Sequence, residues 1–157
     1  MFKYTICFIK RGNQILLLNR EKSSWMGSWN GVGGKFEKGE SPTECILREV
    51  FEETGIKLKS LKSKGIVTWE TEENSIGGMY AFIAELPDNF KYETPIKMRE
   101  GILDWKNIDW ILNPENTGVA SNMSKYLPKM LNEDCKYEHR CFFDDRGLIK
   151  VESTLLK

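Results

Sequence analysis

The sequence predicts a mixed α/β domain, and three observations carry that prediction. Runs of β-forming residues stand on both sides of one strongly capped helix, a glycine-dense segment leads straight into that helix, and about two-fifths of the 157 residues are hydrophobic. The length suits one domain spanning 1–157 rather than two.

From Tyr4 to Ile9 the chain is rich in β-formers, Arg11-Gly12-Asn13-Gln14 is a turn signal, and Ile15 to Leu18 is apolar again, so the chain opens on a hairpin. Between Glu21 and Gly39 it carries Trp25, Gly27, Trp29, Gly31, Gly33 and Gly34, a glycine density that marks irregular backbone closely approached by other groups. A helix follows: Ser41 is placed as N-cap, Pro42 at the first helical position and Glu44 to close a capping box, with Gly55 as the stop.

Beyond it, Ile56 to Glu70 and Gly78 to Glu85 read as strands, and Ile102 to Trp110 as a short strand with a turn. Val119 to Leu131 reads as a helix that Pro128 should bend or shorten. Arg140 to Phe143 and Leu148 to Val151 form a closing hairpin around Asp144-Asp145-Arg146-Gly147. Tyr80 and Phe82, in a strand, are expected in the core, and the sole histidine, His139, outside catalysis.

Composition narrows the function classes. The 23 basic and 23 acidic residues balance and are interspersed, which argues against a duplex nucleic-acid partner. Cys7, Cys45, Cys135 and Cys141 form no CxxC pair and are expected as free thiols in a reducing cytoplasm. No apolar run reaches the roughly 18 residues of a membrane span.

The chemistry is concentrated on the helix. At about 100° per residue, Glu49, Glu52 and Glu53 share one arc while Ile46, Leu47, Val50 and Phe51 occupy another. Like charges at i, i+3 and i, i+4 repel, so this acidic face needs a neutralising partner; Arg48, four residues from both Glu44 and Glu52, supplies part of it. A hard divalent cation supplies the rest in a functional reading, since Mg²⁺ is commonly shared between carboxylates and a bound polyphosphate.

Gly34, Glu40 and then Arg48-Glu49-Val50-Phe51-Glu52-Glu53-Thr54-Gly55-Ile56 match nine fixed or class-restricted positions over 23 residues, 34–56. The segment resembles the Nudix box at every defined position. The resemblance implies a Nudix fold, an α/β/α sandwich around a mixed sheet, and a metal-dependent hydrolase of nucleoside diphosphate derivatives using Mg²⁺, with Mn²⁺ able to substitute. It implies metal ligation by Glu49, Glu52 and Glu53 and by the Gly33 carbonyl, orientation of a neighbouring glutamate by Arg48, and a supporting role for Glu40. Glu100, five residues before Trp105, resembles a further metal ligand or base of the family.

Trp29-Asn30-Gly31-Val32-Gly33-Gly34-Lys35 looks like the segment preceding the box in MutT-type enzymes that cleanse the nucleotide pool of oxidised purines. Asn30 is thereby a candidate base contact; Trp29, as an aromatic, is a candidate to stack on the base, and the basic Lys35 and Arg20 are candidate phosphate contacts. Where those relatives carry an acidic pair that reads the base edge, this chain has Asn122-Met123, and an amide cannot exchange a proton with an altered base. The expected substrate is a small nucleotide, first an oxidised purine triphosphate such as 8-oxo-dGTP; a dinucleoside polyphosphate, nucleotide sugar or RNA 5′ end are the alternatives. The chain is expected to act as a monomer or homodimer. A non-catalytic nucleotide sensor would not need all three glutamates.

Overall fold

The computed structural model describes residues 1–22 and 25–157, so positions 23 and 24 of the glycine-dense stretch lie outside the described residues. In chain order the elements are β1 (Tyr4–Arg11), β2 (Gln14–Arg20), β3 (Trp29–Asn30), α1 (Pro42–Thr54), β4 (Lys62–Glu70), β5 (Ile76–Leu86), β6 (Ile96–Met98), β7 (Gly101–Asn107), α2 (Ile108–Leu112), α3 (Met123–Asn132), β8 (Tyr137–Asp144) and β9 (Gly147–Leu155). All the strands join one sheet, ordered β6-β7-β2-β1-β5-β4-β8-β9, with β3 on β2. The β1/β5 and β4/β8 pairs are parallel and the rest antiparallel.

The central strands are apolar on both faces, the pattern of a sheet covered twice. Ile6, Phe8, Ile15, Leu17, Ala81 and Ile83 pack with Met123, Tyr126, Leu127 and Met130 of α3, while Cys7, Ile9, Leu16, Leu18, Phe82 and Ala84 pack with Ile46 and Val50 of α1. This is the α/β/α sandwich. Phe82 is core, and Tyr80 is partly buried between the Phe2 and Phe36 rings.

The helix ends follow the expectation closely. Ser41 caps α1, its Oγ accepting from Glu44 N at 3.1 Å while Glu44 Oε1 accepts from Ser41 N at 3.2 Å; Gly55 ends the helix at φ 78°. Ser41→Ala removes half of this box and is expected to cost about 1 kcal/mol, read as a fall of about 3 °C in the thermal midpoint. An unchanged midpoint would show the cap to be idle.

Several boundaries differ from the sequence reading. Residues 56–61 precede the strand rather than open it, because Ile56 turns into the α1-side core and Leu58 and Leu61 pack against it. Beyond Asn107 the predicted strand becomes α2. The later helix begins at Met123, not Val119, since Val119 bridges Trp29 and Ala120 N donates to Trp29 O at 2.9 Å; α3 then continues through Pro128. The closing hairpin is longer than predicted and β8 pairs with β4, extending the sheet. The short strands β3 and β6 were not predicted; two or three residues carry no readable periodicity.

All four cysteines are free thiols, with Cys135 exposed and the others buried. No helix among the described residues is long and apolar enough to cross a membrane.

Candidate active site

The segment 29–35 is wedged where β1 and β2 splay apart. Cys7 bridges Val32 and Tyr4 bridges Lys35, and Thr5 N donates to Gly34 O at 2.9 Å. This brings Gly33 and Gly34 against the acidic face of α1. An added Cβ on Gly34 would stand 2.4 Å from Glu49 Cδ, and one on Gly33 would stand 2.0 Å from the Thr5 carbonyl oxygen. Both glycines are therefore demanded by close approach, the first of a carboxylate and the second of a backbone strand.

Arg48 holds the helix and its leading loop together. Nε and Nη2 grip the two Glu40 oxygens at 2.7 and 2.9 Å, Nη2 also donates to Lys35 O at 2.9 Å, and Nη1 reaches Glu49 at 2.9 Å and Glu52 at 3.1 Å. Glu40 additionally accepts from Glu37 N at 2.7 Å. The guanidinium and that amide hold the Glu40 carboxyl down at about 2. Glu40 is thus occupied in fastening the loop.

Glu53 is in the opposite condition. It is 8 % exposed, and its Oε2 is buried without a hydrogen-bond partner. Burial first, and the adjoining Glu49 carboxylate second, push its carboxyl up to about 9, with the Gly33 backbone amide opposing them. Ionising Glu53 beside the Glu49 carboxylate is therefore unfavourable until a further positive charge enters.

Glu49, Glu52 and Glu53 line a cavity of about 410 Å³ with Met98, Arg99 and Glu100. The last two form the two-residue turn between β6 and β7, where Met98 pairs with Gly101. The turn is fastened by Glu21 N donating to Glu100 O at 3.0 Å, and by Gly101, whose Cβ would fall 1.9 Å from Asn19 O. Among the described residues the carboxylates share this cavity without three of them converging on one point at ligand spacing. The orphaned Glu53 oxygen and the all-oxygen donor set nevertheless fit a hard divalent cation.

The other sequence candidates are placed as follows. Arg20 pairs with Gly101 across the β2/β7 ladder, beside the turn. Lys35 is exposed, its Nζ 5.8 Å from the Tyr4 ring centre, and does not line the cavity. Trp29, 4.4 Å beneath the Lys106 ammonium, packs on the α3-side core with Trp25. Asn30 stands opposite Leu18, an α1-side residue, and its Oδ1 accepts from Gly31 N at 2.9 Å. Asn122 is buried on the other face, its Nδ2 3.6 Å from Cys141 Sγ and its Oδ1 unpartnered. The Trp29 backbone pairs with residues 118–120, so the two asparagines lie on adjoining segments. His139 is buried between the Tyr126 and Tyr137 rings and lines no part of the cavity. Met98 and Arg99 are the lining residues that sequence reasoning missed; their only signal was adjacency to Glu100.

A family model described as the NUDIX domain matches residues 3–130. The chain belongs to the Nudix hydrolase family. Among its relatives, an NAD-capped RNA hydrolase, NudC, of Haemophilus influenzae is 32% identical over 142 residues, 87% of this chain and 50% of the relative, so the chain spans about half that protein's length. An oxidized purine nucleoside triphosphate hydrolase of Mus musculus is 27% identical over 109 residues, 69% of this chain and 67% of the relative. A mutator MutT protein from Bacillus halodurans superposes with a TM-score of 0.78 at 27% identity, covering 98% of this chain and 97% of that one. The Nudix hydrolases generally use divalent metal ions, the need that the Glu49/Glu53 juxtaposition expresses. The β8–β9 hairpin lies beyond the matched family region.

Proposed function

We propose that this Nudix hydrolase cleaves the phosphoanhydride of a nucleoside triphosphate, releasing the monophosphate and pyrophosphate, with Mg²⁺ as its cation and Mn²⁺ as a substitute. The observation that carries the reading is the buried Glu53 carboxyl, with one unpartnered oxygen, beside Glu49 in a cavity shared with Glu52 and Glu100. Those four residues and the Gly33 carbonyl would hold the cation, which neutralises phosphate charge and activates water when bound. Arg48 and Glu40 keep the loop and helix in register, and a cavity carboxylate accepts the proton of the attacking water as the anhydride P–O bond breaks. No covalent nucleophile is required.

Oxidised purine triphosphates such as 8-oxo-dGTP are the first substrates in this reading. The Trp29–Lys35 segment and the likeness to the mouse and Bacillus halodurans proteins favour them. The longer match to the NAD-capped RNA hydrolase favours a second reading, a dinucleotide pyrophosphate cleaved by the same machinery. A Mg²⁺-dependent product screen over oxidised and ordinary triphosphates, dinucleotides and nucleotide sugars separates the two. Glu52→Gln run alongside is expected to lose tenfold or more in turnover; full turnover in that variant removes Glu52 from the metal site.

A further inference from the structure

Among the described residues, the basic side chains around the acidic cavity differ in whether they reach it, and Arg20, beside the turn, stands outside the lining. Arg48 spends its donors on Glu40, Glu49, Glu52 and the Lys35 carbonyl, Lys97 pairs with Glu21, and Lys35 stands outside the lining. Among the described residues Arg99 is the only basic residue lining the cavity that Glu49, Glu52, Glu53 and Glu100 share, and its guanidinium makes no ion pair or hydrogen bond with them. It is exposed, so a ligand entering the cavity can reach it.

We propose that Arg99 is a phosphate-binding residue, its guanidinium taking non-bridging oxygens of the substrate's phosphate chain across the cavity from the carboxylates. The inference rests on the phosphoanhydride reading above and adds a residue to it. Four carboxylates repel a polyphosphate, and a divalent cation offsets that repulsion only where it sits; oxygens beyond its reach need a second positive group. A guanidinium meets phosphate through two parallel charge-assisted hydrogen bonds, which an ammonium cannot reproduce.

The site of this group is built rather than incidental. Its turn has only two residues, closed by the Met98–Gly101 pair, and the Glu21 amide and the Gly101 approach to Asn19 fix it to β2. Arg99 and Glu100 are neighbours on that turn, so one short hairpin delivers a carboxylate and a guanidinium to the same cavity.

The test uses the whole chain with Arg99→Ala and Arg99→Lys. The probe is imidodiphosphate, a non-hydrolysable pyrophosphate analogue, titrated calorimetrically in Mg²⁺; Mn²⁺ binding without the analogue is followed by electron paramagnetic resonance. Arg99→Ala is expected to weaken the analogue about tenfold or more and to raise KM more than it lowers kcat, with Mn²⁺ affinity unchanged and Arg99→Lys intermediate. Equal affinity for the analogue in Arg99→Ala and the parent chain overturns the arginine alone, leaving a solvated surface residue. Failure of the metal-loaded parent chain to bind the analogue overturns both this inference and the reading on which it rests.

Discussion

Replacing Glu53 by glutamine is expected to lower turnover by about a hundredfold or more while making the metal-free protein more stable. The two effects have one origin. Burial and Glu49 hold the Glu53 carboxyl up at about 9, so the folded chain keeps a proton that the unfolded chain releases above the ordinary carboxyl range. Fewer protons bound in the unfolded state means that stability falls as pH rises. The loss begins near pH 4.5, continues to about pH 9 and is complete above it.

Glutamine carries no such titration, so Glu53→Gln should flatten that slope. The expected gain in the metal-free thermal midpoint is roughly 10 °C or more at pH 8 and close to nothing at pH 4.5. Adding Mg²⁺ should stabilise the parent chain and leave the variant nearly unmoved, because a ligand stabilises only the state that binds it. A variant that retains turnover, or that responds to Mg²⁺ like the parent, would remove Glu53 from the metal site. Thermal melts at several pH values with and without the cation read all of this together.

The second large effect separates two adjacent glycines. Gly33→Ala places a methyl group 2.0 Å from the Thr5 carbonyl oxygen, and neither strand can yield without losing the β1 pairing at Thr5 and Cys7. The expected cost is about 3 kcal/mol or more, a fall of roughly 10 °C in the midpoint. Gly34→Ala meets the Glu49 carboxylate instead, at 2.4 Å from Cδ.

A carboxylate at the end of a flexible side chain can swing aside, so the fold is expected to lose no more than about 1 kcal/mol. The displacement takes Glu49 from its 2.9 Å contact with Arg48 and away from Glu53. Turnover is therefore expected to fall about a hundredfold at nearly constant stability. Equal melting losses in the two variants would contradict this division, as would full activity in Gly34→Ala.

How far the site was legible varies by residue. Ser41, Glu44 and Gly55 declare α1 because capping is local chemistry, satisfied within three or four residues of chain. Glu49, Glu52 and Glu53 were legible as one acidic face because helical spacing alone groups them. Arg99 was not, and the reason is distance: it acquires its neighbours through the β6–β7 turn held against β2.

By itself the sequence determined the family through the 34–56 motif, the two-sided apolar strands and the acidic helix with its cap, all properties of residues near one another in the chain. Only the tertiary structure decided which glutamate is buried and unpartnered, that Glu40 fastens the loop through Arg48, and that the 99–100 turn closes the cavity. Those outcomes depend on charge and burial between segments tens of residues apart, where a sequence pattern has no register and a folded sheet does.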